Sequence, residues 1–535
     1  MYPMIWDYII VGAGSAGCAL AHQLVRSGRT VLVIEAGGPD RSVFIKIPAG
    51  ELRAAEKHDW GYYAEPDPSR NSVRQQWIRG KVLGGSSSIN GMIYVRGPAE
   101  DFDRWSAECG GAGGWSAREI MPIFRELESS DQSNSLRGHT GPLSVRTVKR
   151  PHAITRAFIE SVRGTGYAFN EDYNSHSQEG VSFIQFSQRR GLRCSAADAF
   201  LKPLLGRKNL KLMLNASADA IEVRHGRAAG VLFRYEGRQC REAARDIIIC
   251  AGAINTPKLL MLSGIGDAGD LKRHGIEPTL DLPGVGCNLK DHPQIYTAYR
   301  TTVPTYTPTK GLLRKLDIAA KFALYREGPI SNPFEGMAFL RSSADRRKPN
   351  LQLFFSSIGY LRASDGSFEL ASYPAVMLCV ANSYPVGSGR VLLASSRPND
   401  PPLINYSLLE NPADLDTMVQ AIGTIRRIMN TEPIRRLVAS EITPGAAIGS
   451  QSELEEFVRD NTTICYHSIG TCRMGTGVDA VVSPDLRVRG TENLWICDAS
   501  VMPTPINGNM NAACMMVGMK LGKELVTKRA CEPTR

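Results

Sequence analysis

Twelve cysteines run from Cys18 to Cys531, yet they form no Cys-x-x-C pair and no clustered cysteine–histidine ligand set. That pattern argues against a disulfide scaffold or a zinc site and predicts reduced core thiols. No apolar run reaches the ~18 residues a membrane-crossing helix needs. Only Met1 to Trp6 precede the first strand, which leaves no room for a signal peptide and predicts a cytoplasmic protein. Internal repeats and low-complexity linkers are missing. So is any long basic run: 63 basic against 53 acidic residues leave a charge of +10, with nothing denser than Arg189, Arg190 and Arg193. Nucleic-acid binding is therefore not expected. What is left is a globular chain of 535 residues, 43% hydrophobic and 22% charged, long enough for two large layered domains.

The first forty residues carry the strongest signal. Asp7-Tyr-Ile-Ile-Val11 reads as a strand, Gly12-Ala-Gly14-Ser-Ala-Gly17 as a tight turn into a helix, and Thr30-Val-Leu-Val-Ile-Glu35 as a second strand. In such a unit Gly12 permits the turn, Gly14 lets backbone approach a pyrophosphate, and Gly17 lets the helix pack on the sheet. The helix N-terminus offers free N–H groups to phosphates. Glu35 ends the second strand, in place for a ribose hydroxyl pair, and its charge disfavours a 2′-phosphate. NAD and FAD both fit this far.

Two more segments are informative. Arg79-Gly-Lys-Val-Leu-Gly-Gly-Ser-Ser-Ser-Ile-Asn90 joins a glycine pair to three hydroxyls and an amide, suited to lying along a flat ring whose heteroatoms the polar groups satisfy. Ile247-Ile-Ile-Cys-Ala-Gly252 reads as a buried strand leading into a helix that contains Pro257 and ends at Gly264. With Tyr466-His-Ser-Ile-Gly-Thr-Cys-Arg-Met-Gly475 and Asn493-Leu-Trp-Ile-Cys-Asp-Ala-Ser-Val-Met-Pro503, these stretches resemble the signatures of the glucose–methanol–choline (GMC) flavin oxidoreductases.

The resemblance implies FAD, oxidation of an alcohol, and an α/β (α+β overall) fold. A Rossmann-like FAD-binding domain (1–65, 78–100, 194–295, 465–535) is interleaved with an antiparallel-sheet substrate-binding domain (66–77, 101–193, 296–464). It places the cofactor against Gly12, Gly14, Ser15, Ala16, Glu35, Ala36, Val82, Gly84, Gly85, Ser86, Asn90, Gly91, Met92, Ile93, Ala218, Ala251, Gly252, Asp498, Ala499, Asn509 and Met510. Glu179-Gly180, Arg193-Cys-Ser-Ala-Ala and Leu205-Gly-Arg-Lys-Asn-Leu210 resemble the L-sorbose type of bacterial dehydrogenase, with choline dehydrogenases also similar.

Hydride abstraction from an alcohol needs a base near neutrality, for which histidine is suited. The nine histidines are 22, 58, 139, 152, 176, 225, 274, 292 and 467. The family motif singles out His467 as the base. Asn509 matches the partner that fixes the substrate oxygen, with Asn511 as its rival. Some relatives bind FAD covalently through a histidine where this chain has Ile89, so noncovalent FAD is expected. All six tryptophans fall outside 300–464, which leaves Tyr466, Phe334 and Glu335 as a partial cage and does not favour choline; Glu335 is also a candidate for tuning His467. The expected partners are a small alcohol and an external electron acceptor, quinone-like or O₂. A flavin-bearing hydroxynitrile lyase is the alternative within the family.

Overall fold

Two sheets organise the chain. In a computed structural model that describes residues 6–307, 312–362 and 368–530, their strands are β1 (Trp6–Val11), β2 (Val31–Ile34), β3 (Gly180–Phe183), β4 (Leu210–Met213), β5 (Ala244–Ile249), β6 (Pro293–Thr301), β7 (Gly336–Leu340), β8 (Leu351–Ser356), β9 (Ala375–Asn382), β10 (Val438–Thr443) and β11 (Leu494–Ile496). The helices that matter for the site are α1 (Ser15–Arg26), α2 (Ala153–Gly164), α3 (Gly252–Leu262), α4 (Pro412–Met429) and α5 (Asn511–Ala530).

The first sheet is parallel, in the order β4-β2-β1-β5-β11. Its central strands are near-continuous apolar runs, buried in a core shared with α1 and α5. Val11 lies opposite both Ile34 and Ile249, so the chain leaves three neighbouring strands at one edge, at Gly12, Glu35 and Cys250. Such an edge, at the carboxyl ends of the strands, is where open α/β sheets bind ligands. Beside it, Ser217–Arg224, Arg227–Tyr235 and Arg238–Glu242 form an antiparallel meander. Its turns at His225-Gly226 and Glu236-Gly237 have both residues at positive φ (49° and 75°, 50° and 75°), as tight hairpins demand.

The second sheet is antiparallel, in the order β10-β6-β9-β8-β7-β3. Period-two alternation divides its side chains between two layers. Leu351, Leu353 and Phe355 of β8, with Val376, Leu378 and Val380 of β9, pack in one core with residues of α2 and α4. Phe354, Cys379, Met337 and Phe339 point the other way and pack with Met92, Ile93, Tyr296 and Phe334. Arg390–Leu392 does not join this sheet: it pairs with Leu403–Asn405 in a separate ribbon.

Candidate active site

A long groove follows the carboxyl edge of the parallel sheet. It gathers Gly12, Gly14, Ser15, Ala16, Glu35, Ala36, Gly85, Ser86, Ala218, Ala251, Gly252, Asp498 and Ala499. The glycines divide the labour as their spacing predicts. A Cβ on Gly12 would sit 2.3 Å from the Cys250 carbonyl oxygen, and one on Gly17 2.0 Å from the Gly12 oxygen, so both are close-packing positions. Nothing lies within 4 Å of a Cβ on Gly14. Gly14 is the N-cap of α1, which has neither a side-chain cap nor an acid in its first turn. The helix therefore presents bare N–H groups to the groove, the environment a pyrophosphate requires. Glu35 is 6% exposed and held from both sides, accepting from Ala13 N and Gly37 N at 2.8 Å each. Its orientation is thus fixed by backbone, and burial pushes its carboxyl up. These residues fit a dinucleotide.

The Gly80–Asn90 loop is braced by its own hydroxyls: Ser87 Oγ donates to Gly84 O (2.6 Å), Ser88 Oγ to Leu83 O (2.7 Å), and Ser86 Oγ accepts from Gly80 N (3.1 Å). Asn90 Oδ1 accepts from Met92 N and Arg193 Nη1. These bonds fix the shape of the loop, and Gly80, Gly85 and Ser86 are the parts of it that line the groove. Asp498 is also committed, accepting from Gly252 N, Thr256 Oγ1 and Ser500 N, and so ties α3 to the 498–503 segment. Val82, Gly84, Asn90, Gly91, Met92, Ile93, Asn509 and Met510 do not line the groove. Met92 and Ile93 instead pack in the layer beneath the antiparallel sheet.

His467 is built from an unusual backbone. Tyr466, just before it, sits at φ 60°, a left-handed conformation that costs a side-chain-bearing residue ~1–2 kcal/mol. Two bonds hold it: Arg79 Nη1 donates to Tyr466 O (2.7 Å), and His467 N donates to Asp291 Oδ1 (2.9 Å). Asp291 also accepts from Ser468 Oγ at 2.8 Å, and Trp77 Nε1 donates to that same hydroxyl at 2.7 Å. Asp291 is 1% exposed, and burial raises its carboxyl to about 6 against the Arg79 guanidinium 3.6 Å away.

The His467 ring is held at both nitrogens. Nδ1 lies 3.0 Å from His292 Nδ1, with the two rings nearly perpendicular at 83°. Nε2 lies 3.0 Å from Asn509 Nδ2. Burial, then the charges of His292 and Arg79, lowers the His467 ring well below the ordinary histidine value; burial lowers His292 to about 4. Burial thus favours the neutral form of both rings.

Asn511 is elsewhere: it opens α5 and its Oδ1 accepts from Ser15 Oγ at 2.7 Å, at the start of α1. Glu335 is not beside His467 either. Its Oε2 accepts from His152 N, Thr155 Oγ1 and Ser357 Oγ, so it caps the start of α2. Phe334 packs on Phe354 at 6.1 Å between ring centres. Arg79 opens the Arg79–Asn90 stretch, whereas Asp291, His292 and Gln352 stand in no motif of the sequence.

Fold and site together define a dinucleotide-binding oxidoreductase whose second sheet roofs a histidine–asparagine pair. The GMC oxidoreductase family matches residues 6–294 and 385–518, and the chain belongs to that family. It is an FAD-dependent enzyme that oxidises the CH–OH group of an alcohol. It is 38% identical over 542 residues to an oxygen-dependent choline dehydrogenase of Sinorhizobium fredii, covering 98% of this chain and 97% of the relative. The oxygen-dependent choline dehydrogenase of Brucella anthropi is 38% identical over 530 residues, covering 97% and 95%. Among solved structures, pyridoxine 4-oxidase from Mesorbium loti is similar with a TM-score of 0.89 and 28% identity, covering 97% of this chain and 99% of that one. Among the described residues no helix is long and apolar enough to cross a membrane.

Proposed function

We propose that His467 is the base, that Asn509 fixes the substrate oxygen, and that the alcohol is primary. The observation that carries the reading is the pair itself: an imidazole nitrogen and an amide nitrogen 3.0 Å apart, both on half-buried residues. Bound FAD supplies a two-electron hydride acceptor. With its ring proton donated to His292, His467 keeps the Nε2 lone pair for the substrate hydroxyl. Asn509 Nδ2 donates to the oxygen as it loses its proton, and an asparagine cannot itself act as a base. The Asp291 carboxylate, which accepts from the His467 backbone N–H, adds a negative charge nearby once the ring becomes an imidazolium.

Residues 1–65, 78–100, 194–295 and 465–535 hold FAD in this reading, and 66–77, 101–193 and 296–464 form the substrate chamber. The parallel sheet draws its strands from the first set. The antiparallel sheet takes most of its length from the second. On the sheet face that carries Gln352, the hydrogen-bond partner of Asn509, lies an aromatic and sulfur-rich layer of Tyr296, Phe334, Phe354, Met337 and Cys379. The carboxylate of Glu51 adds a charge near it, with Oε2 3.3 Å from where a Cβ on Gly91 would lie. That combination, with the choline dehydrogenases among its relatives, makes alcohols bearing a quaternary ammonium the first class to try. Electrons then leave to an external acceptor, O₂ or quinone-like.

Anaerobic mixing with choline, pyridoxine, benzylic and sugar alcohols, followed by flavin absorbance, tests the core of this. One class should bleach the flavin, and His467→Ala should slow bleaching ~10²–10⁴-fold while retaining FAD. Unchanged bleaching in that variant would overturn the assignment, and admitting air separates the acceptors. Because Ile89 cannot form a histidyl link, acid precipitation should leave all yellow colour in the supernatant; colour in the pellet would mean a covalent bond elsewhere.

A further inference from the structure

We infer that Gln352 is a positioning residue that sets the hydrogen-bond polarity of the Asn509–His467 pair; the inference rests on the base assigned above. Gln352 lies on β8, fully buried, on the face turned toward Asn509. Its Nε2 is 3.0 Å from Asn509 Oδ1 and 3.2 Å from Met337 Sδ. A thioether sulfur only accepts, so the end of the amide that meets it must be the donor. Turned round, Gln352 would set its oxygen against that sulfur. The two N–H groups therefore point to Met337 and to Asn509.

The consequence passes along the chain of bonds. With Oδ1 occupied by Gln352, Asn509 turns Nδ2 toward His467 Nε2. Nδ2 can only donate, so Nε2 must carry a lone pair and the His467 proton sits on Nδ1, given to His292 Nδ1. That tautomer is the one able to take a proton from an alcohol at Nε2. An Asn509 flipped by half a turn would present an acceptor. It would demand a proton on Nε2 and face an oxygen that is becoming negative. Gln352 thus selects the working arrangement without touching the base.

The holoenzyme tests this through the rate of anaerobic flavin reduction, measured across pH with whichever alcohol reduces the wild type. Gln352→Met keeps the volume and removes the donor to Asn509. It should lower the limiting rate ~10–100-fold, with a smaller change in half-saturation. In an Asn509→Ala background the same substitution should have less than a ~2-fold further effect, since the two act as one unit. Gln352→Glu supplies a donor only while its carboxyl is protonated. Its rate should fall as pH rises through an ionisation that wild type and Gln352→Met lack.

The charged and titratable groups around position 352 are His467 and His292 beyond Asn509, Asp291 and Arg79 behind them, and Cys379 on β9. All of them are present in the wild-type reference. A wild-type rate in Gln352→Met, an equal loss in the Asn509→Ala background, or no added ionisation in Gln352→Glu would each overturn the inference. If Gln352→Met fails to retain FAD, the pH limb of Gln352→Glu decides alone. Failure of the base assignment reads out separately, as a normal rate in His467→Ala.

Discussion

Glu51 shows how far one side chain can reach into specificity. It begins a short helix, Glu51–His58, and burial pushes its carboxyl up while Arg193 opposes the shift. Arg193 is committed to Ile45 O, Ser87 O and Asn90 Oδ1, so it damps the charge of Glu51 without a hydrogen bond to it. Burial raises the Tyr296 and Tyr360 hydroxyls, and the negative charge of Glu51 contributes to both. An ammonium group is the natural complement. Choline and 3,3-dimethylbutan-1-ol have the same shape and differ in charge, so kcat/KM should favour choline by at least ~10-fold, a difference of about 1.4 kcal/mol. Glu51→Gln should erase most of that preference; equal rates in the wild type would mean that shape alone is read. The sequence motif made His467 and Asn509 legible. Glu51, Gln352 and His292 were not, because their roles come from strands and loops far apart in the chain. The proposed tuning acid, Glu335, was misplaced for the same reason: proximity along β7 says nothing of which helix it caps.

At the scale of elements, α1 and α5 lie so close that glycine is required between them. A Cβ on Gly518 would come within 2.3 Å of the Ala16 carbonyl oxygen, and one on Gly522 within 2.6 Å of Gln23 Cβ. α1 carries the bare N-terminus that faces the groove, and Asn511 of α5 bonds to Ser15 at that point. Gly518→Ala should therefore cost ~1–3 kcal/mol by overpacking and weaken FAD retention as α1 is displaced. Gly423→Ala, inside α4 with nothing within 4 Å, is the control and should be neutral or stabilising. Thermal melts and flavin-to-protein ratios of the two variants distinguish local from general effects. The β1–α1–β2 unit was legible because it rests on local chemistry: apolar runs and a glycine turn leading into a helix. Arg390–Leu392 shows the limit of such reading, since a short alternating stretch specifies a strand and not its partner.

At the scale of the whole molecule, the site leaves a mark on stability. His292, lowered to about 4, and His467, well below 6.5, stay neutral in the fold, whereas the unfolded chain takes up protons as pH falls through 6.5. Their contribution is complete above pH 6.5 and is lost on the way down toward 4, on the order of 3 kcal/mol for His292. Asp291, raised to about 6, runs the other way: its protonated form favours the fold at low pH, and that gain is lost as pH rises through 6. The melting temperature should fall between pH 7 and 5, and fall more steeply in Asp291→Asn; a flat profile would mean that both rings accept protons in place. The order in which the chain is made adds a last constraint. The parallel sheet gains its outer strand β11 only at Leu494, and α1 gains its partner α5 from Asn511. A ribosome working at ~5–20 residues per second spends roughly half a minute to two minutes on this chain. For nearly all of that time the cofactor cradle is half a structure, its first βαβ unit waiting for its last strand. The dinucleotide cradle is therefore complete only once residues 494–511 have been made and have docked on the first βαβ unit.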